Sequence, residues 1–199
     1  MVKNKKYKKN LFFFINEINE LVKFNILNLH NVAIVYDSND YVSANFYEIK
    51  KFCKNNFINL YIMDNFKIAI KHNLSGIIIS HNNKSNVYRG NIVCKKRKFK
   101  IFGKVHSQLE YFLKKKQGCE GVFLSPIFYN KKYSKNYMIN PLRFSLISKF
   151  WDIEKYALGG INKGNFKKIQ NNRIEGFAAK EIILNNKIEN SFFLFKEKY

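Results

Sequence analysis

A compact (β/α)8 TIM barrel, of the α/β class, is the fold this sequence predicts, on three observations. Eight short apolar runs recur along its 199 residues. Segments with helical hydrophobic spacing separate most of them, and from Gly103 to Ile183 the order of run, small or polar loop and helix repeats three times. Neither GxGxxG nor a P-loop motif follows the first run, whereas paired glycines follow the seventh. That suits a barrel better than the alternative, an open doubly wound sheet.

The runs are Leu11–Ile15, Val32–Tyr36, Leu60–Met63, Gly76–Ser80, Ile101–Val105, Val122–Ser125, Tyr156–Gly159 and Gly176–Ala179. Asn16–His30, rich in asparagine, makes a poor first helix. Val42, Phe46, Ile49 and Cys53 form one helical face after the second run, and Phe66, Ala69 and Ile70 another after the third. Asn82–Lys98 holds a short helix at most. Ser107 with Glu110 three residues on is a capping box, ahead of Leu109, Phe112 and Leu113. Asn140 is an N-cap with Pro141 at the first helical position. Leu142, Leu146, Ile147 and Phe150 then give the stripe expected to be buried. Asn165–Gln170 follows the seventh run.

Hydrophobic residues make up 46% of the chain and aromatics 17%, enough for one full core without a linker to a second. Residues 11–199 are therefore expected to form a single domain behind a basic tail, Met1–Asn10. Leu11–Ile15 is too short for a signal peptide's apolar region, and no run reaches the ~18 residues of a membrane span. A cytoplasmic location and no membrane partner are the expectation. Cys53, Cys94 and Cys119 make no CxxC pair, so neither a disulfide framework nor a zinc site is legible. The formal charge of +22 would ordinarily point to nucleic acid. However, Lys, Asn, Ile, Phe and Tyr dominate together, as an AT-rich genome imposes, and the lysines are spread along the chain. The exceptions are Lys3–Lys9, Lys95–Lys100 and Lys114–Lys116, the last at a helix end where cations offset the dipole.

In barrels chemistry gathers at the strand C-terminal ends. Gly159 and Gly160 stand at such an end, where the missing Cβ lets backbone N–H groups approach an anion. With Lys180 after the last run they are candidates for a phosphate site, or else a tight turn. Ser125 opens a long loop after the sixth run in which Lys131, Lys132 and Lys135 would neutralise phosphate, or else form a solvated basic loop. His106 is placed for acid–base work or simply leads into the helix capped by Ser107. Asp37 and Asp64 could ligate Mg²⁺ or cap the next helix. His30, His72 and His81 lack metal-ligand spacing and read as surface or loop residues.

The order of these motifs resembles the thiamine phosphate synthase family, which includes the thiazole tautomerases. Leu60–Asn65, Ala69 and Ser75–Ile79 resemble the family's third and fourth strands, Gly103 to Ser107 its Gly-x-Ser-x-His-Ser, and Ser125–Phe128 its Gly-Pro-Ile-Phe. Ala157–Ile161 and Gly176–Ala179 match the last two strands. The resemblance implies a (β/α)8 barrel joining hydroxymethylpyrimidine pyrophosphate to thiazole phosphate with loss of pyrophosphate, using Mg²⁺. It implies Asp64 as a metal ligand, and a ligand phosphate near Ser125, Asn130, Lys131, Lys132, Lys135, Gly159, Gly160 and Lys180. Departures accompany it. Ile34–Asn39 replaces the strand-two Gln-x-Arg-x-Lys, Asn82-Asn83 stands where a second metal Asp is usual, and Lys104 replaces the serine two before the histidine. Pro126 replaces the tautomerase's histidine. Three readings follow: a thiamine phosphate synthase, a barrel that binds a phosphorylated ligand without turnover, and, remotely, a basic nucleic-acid-binding protein.

Overall fold

The computed structural model of the chain describes residues 10–22, 31–85, 98–129, 138–162, 164–169 and 174–179. Eight parallel strands close into a barrel in sequence order, the eighth pairing with the first. They are β1 (Asn10–Ile15), β2 (Val32–Tyr36), β3 (Asn59–Met63), β4 (Gly76–Ile79), β5 (Lys100–Val105), β6 (Gly121–Leu124), β7 (Glu154–Leu158) and β8 (Gly176–Ala179). Closure excludes the open sheet, and every predicted strand is present within two residues of its expected ends. Between them lie α1 (Ile18–Val22), α2 (Ala44–Asn55), α3 (Phe66–Lys71), α4 (Gln108–Lys116), α5 (Pro141–Ser148) and a 3-10 turn, Phe166–Ile169. The basic tail through Lys9, His30, most of Asn82–Lys98 with Cys94, Asn130, Lys131, Lys132, Lys135 and Lys180 lie outside the described residues. No helix among the described residues is long and apolar enough to cross a membrane.

Period-two alternation sends one side chain set inward, and alternate strands fill the interior in layers. The lowest even-strand layer is small: Ala33, Gly76, Gly121 and Gly176. Above it the odd strands supply Phe12, Tyr61, Phe102 and Tyr156, whose rings meet edge-on or tilted at 5.1 to 5.7 Å. The small layer makes that aromatic layer possible: a Cβ on Gly76 would stand 2.9 Å from the Tyr61 ring, and one on Gly121 3.0 Å from Phe102. Each ring pair of this kind adds about 0.5–1.5 kcal/mol beyond area burial. Val35, Ile78, Phe123 and Ala178 follow, and then Phe14, Met63, Lys104 and Leu158 at the mouth. Below, burial raises the Tyr156 phenol, which donates to Glu154 at 2.7 Å while Lys100 stands 3.5 Å from the same carboxylate. The interior is filled by packed side chains, so a ligand has access only to the ends.

The helix caps are as expected at Ser107 and Asn140, which accept from the N–H groups of Glu110 and Arg143. Asp37 and Asp64 are not caps; Ser43 and Asn65 hold those positions. Val42 precedes the Ser43 cap and is exposed, while Phe46, Ile49 and Cys53 are buried as expected. On α4 and α5 the expected faces are reversed. Leu109, Phe112, Leu113, Leu142, Leu146 and Phe150 are exposed, and Ile147 is half-buried. The docking side chains are Tyr111 and Lys114 on α4, and Phe144 and Ser148 on α5. Gly103 explains α4: a Cβ there would stand 2.7 Å from the Lys114 stem, so the glycine opens the channel in which that lysine lies. Lys114 is thus a buried group, not a dipole-offsetting surface cation.

Trp151 joins the two helices, stacking on Tyr111 at 4.3 Å and donating to Gln108 at 2.6 Å. Asp152 beside it accepts from Lys115 and Tyr111, each at 2.6 Å. The Lys115 bond first, then the Tyr111 bond, hold the Asp152 carboxyl down to about 2. A carboxylate whose folded pKa is depressed stabilises the fold above its unfolded value of about 4 and loses that contribution as pH falls toward 2. Asp152→Asn is therefore expected to be less stable than wild type at neutral pH, with the two converging below about pH 3. Urea midpoints against pH check this; a constant offset down to pH 2 contradicts it.

Candidate functional site

The strand C-terminal ends form a shallow mouth floored by Phe14, Met63, Lys104 and Leu158. Lys104 is inward because Phe102 is, two residues earlier on the same strand. Its ammonium stands 4.4 Å from the centroid of the Phe14 ring. A cation over an aromatic face, at the centre of an otherwise apolar floor, is a fixed positive charge. Alternation places Asp37, Ser80 and Ser125 one step further out. Tyr36, between Val35 and Asp37, faces outward and packs with Tyr41 and Phe46. Asp37 therefore brings a carboxylate to the rim at the end of β2.

His106 follows β5 at the rim. Its Nδ1 lies 2.6 Å from the Ser125 carbonyl, which only accepts, so Nδ1 carries a proton and donates it there. The ring of His81 meets it edge-on with centroids 4.6 Å apart. The capping reading of this segment also holds: Glu110 accepts from the His106 N–H at 2.8 Å. His81 is exposed, as expected, but its pairing with His106 is invisible in the sequence, since the two are 25 residues apart on neighbouring loops.

Asp64 takes a left-handed backbone, φ 52°, at the end of β3. Its Oδ1 accepts from the Ser80 N–H at 2.9 Å and from the Asn83 amide at 2.8 Å. The Asn83 amide is oriented by its own Oδ1, which accepts from the Ser85 N–H. The buried Lys114 donates to the Asn83 carbonyl at 2.7 Å and to Gln117, whose amide caps the carbonyls of Asn83 and Ser85. Asp64 is thus the strand-three end of a latch that holds Ser80, Asn83 and Ser85 at the start of the segment after β4. Mg²⁺ needs oxygen acceptors converging on one point; here Asp64 faces the Asn83 amide, which turns its N–H toward the carboxylate. No group of three His, Cys, Asp or Glu side chains converges among the described residues. The donor set does not fit Mg²⁺. Added Mg²⁺ is expected to leave the wild-type melting temperature unchanged. Asn83→Asp, which opposes two carboxylates, is expected to gain roughly 3–5 °C at a tenfold excess of Mg²⁺ over its Kd. A Mg²⁺-induced rise in the wild type would contradict the latch.

Gly159 and Gly160 have φ of 92° and 68°. A Cβ on Gly160 would stand 2.4 Å from the Phe128 carbonyl oxygen, and one on Gly159 2.9 Å from Pro126 Cα. The Phe128 N–H donates to Gly159 and the Asn165 amide to Gly160. The pair lets the segment after β6 lie directly on the end of β7, which accounts for both glycines. Gly160→Asp would break that contact whatever the ligand. Ser125, buried on the same segment, joins this corner to His106. Beside the mouth a cleft of 430 Å³ is lined by Asn16, Glu17, Ser38 and Asp40 among others. Its charges are acidic, the wrong sign for phosphate. Cys53 and Cys119 are buried, and burial pushes both thiols up to about 12, which removes them as nucleophiles.

No family model matches the chain, and no curated protein matches it in sequence. Solved structures do match. A thiamine phosphate pyrophosphorylase from Pyrococcus furiosus superposes with a TM-score of 0.70 at 16% identity, over 96% of this chain and 97% of that one. A structure described as native KDPGal superposes with a TM-score of 0.66 at 10% identity, over 94% and 93% of the two chains. A 3-keto-L-gulonate-6-phosphate decarboxylase from Vibrio cholerae gives 0.64 at 10% identity, over 94% and 99%. The chain has the fold of these barrels along nearly its whole length, and bears a divergent resemblance to the thiamine phosphate pyrophosphorylase.

Proposed function

We propose that this chain binds a phosphorylated pyrimidine, thiazole or thiamine compound in the mouth of its barrel, as a divergent relative of the thiamine phosphate synthases that does not perform their coupling reaction. The observation that carries this reading is Lys104, a cation set over Phe14 at the centre of the mouth. Its ammonium would meet the phosphate as a point charge. Ser125, Gly159 and Gly160 would form the rim beside it. Asn130, Lys131, Lys132 and Lys135 of the strand-six loop, and Lys180 after β8, would supply further polar and cationic groups. Against coupling stand Asp37 just after β2 and the Asp64–Asn83 pairing, which would leave the departing pyrophosphate without its expected cations. The experiment is pyrophosphate release from the two thiamine precursors with Mg²⁺, run beside calorimetric titration of each phosphate. Binding without release is the expected result. Release at enzymatic rates would restore the synthase reading, and the absence of both would end this one.

A further inference from the structure

We propose that the outward face of α4 and α5 is where two copies of this chain pair. On α4 the apolar residues Leu109, Phe112 and Leu113 lie opposite the docked Tyr111 and Lys114. On α5, Leu142 and Leu146 lie opposite Phe144 and Ser148, and Phe150 continues that stripe just beyond the helix. Their exposures run from 39% at Leu113 to 83% at Phe150. Each stripe has the i, i+3 or i, i+4 spacing of a helix face that packs on something. The helices follow the adjacent strands β5 and β6 and are linked beneath by the Trp151–Tyr111 stack and the Trp151–Gln108 hydrogen bond, so the two stripes lie side by side on the outer wall of the barrel.

The area decides what the patch is for. Side chains of this size offer roughly 150–200 Å² each when free, so six at these exposures present on the order of 600–700 Å². That exceeds the ~300–600 Å² typical of the largest patch on a monomer and approaches the ~800 Å² each partner buries in a standard interface. A second copy supplies the same two stripes through a two-fold axis, giving a four-helix contact with both patches covered. The rim, Lys116, Arg143 and Lys149, is cationic and would face its own kind, Lys115 being paired with Asp152. Such a dimer must be held by apolar contact against charge repulsion. Salt screens repulsion, with a Debye length of about 8 Å at physiological strength, so association should tighten as salt is added. An acidic partner would show the opposite dependence.

The test is sedimentation velocity of the full chain at micromolar concentrations, at low and high salt. A dimer is expected, more so at high salt, and Leu142→Glu with Leu146→Glu should be monomeric with an unchanged circular dichroism spectrum. Leu109→Glu repeats the test from α4 should the double variant lose helix. A monomeric wild type, a dimer that dissociates with salt, or a correctly folded glutamate variant that still pairs would each overturn the proposal. None of these outcomes depends on whether the mouth binds phosphate.

Discussion

Replacing Gly176 with alanine is expected to cost at least about 3 kcal/mol, because the new Cβ would stand 1.9 Å from the Asn10 carbonyl oxygen on β1. No side chain can yield there, since the obstacle is backbone of the strand that closes the barrel. Either β8 and β1 part, losing ladder hydrogen bonds, or the aromatic layer above is displaced. With a total stability of about 5–15 kcal/mol for a domain, such a loss removes a large part of it. At roughly 2–4 °C per kcal/mol for a chain of this size, the melting temperature should fall by about 6–12 °C or more. Gly76→Ala, whose Cβ would stand 2.0 Å from the Lys100 carbonyl oxygen, should behave alike. Gly164→Ala is the control: its nearest neighbour is the Asn162 side chain at 3.4 Å, so a change within about 0.5 kcal/mol is expected. Thermal denaturation of the three variants checks this; a Gly176→Ala protein as stable as the control would mean that the barrel does not close as described.

Lys104→Met should abolish most of the affinity for a phosphorylated ligand. Methionine keeps the length and the contact with Phe14 but removes the charge, so the floor remains packed while its cation is lost. Truncating one partner of a partly desolvated charge pair costs about 2–5 kcal/mol, a loss of roughly 30-fold or more in Kd. Because Lys104 is half-buried and opens to the mouth, the lower end of that range is expected. Lys104→Arg should retain part of the binding. Calorimetric titration of wild type and both variants reads the change directly. Equal affinity in Lys104→Met would place the phosphate elsewhere in the mouth.

The strands were legible because strands buried on both faces of a parallel barrel read as continuous apolar runs. β7 shows the limit: it begins two residues earlier than its apolar run, because Glu154 points down to Tyr156 and Lys100 and carries no hydrophobic signal. The helices on the outer layer were legible in position but not in orientation. Hydrophobicity alone puts Leu142, Leu146 and Phe150 inside, yet α5 docks through Phe144 and a serine that bonds its own helix at the Phe144 carbonyl. On α4 the decisive residue is Gly103, one strand away, which admits a lysine where a leucine was expected.

The site divides the same way. Lys104 could have been found from the period of two that places Phe102 inside, but reading it only as a substituted serine hid its position. Asp64 and Asn83, 19 residues apart, meet only because β3 and β4 are neighbours, and the direction of the amide follows from Ser85. No local pattern records such a contact. The glycine pair was legible as a special backbone position, whereas its partner, the Phe128 and Tyr129 backbone, is a matter of tertiary structure.

If the barrel mouth binds as proposed, it recognises the phosphate of its ligand. Calorimetric titration of the wild-type chain with thiamine phosphate and with unphosphorylated thiamine, under the same buffer and salt, tests it most directly. Binding of the phosphate at least about 30-fold tighter than the alcohol, weakening as salt rises, is the expected result. Equal affinity for the two, or no binding of either thiamine phosphate or the pyrimidine and thiazole phosphates, would contradict it.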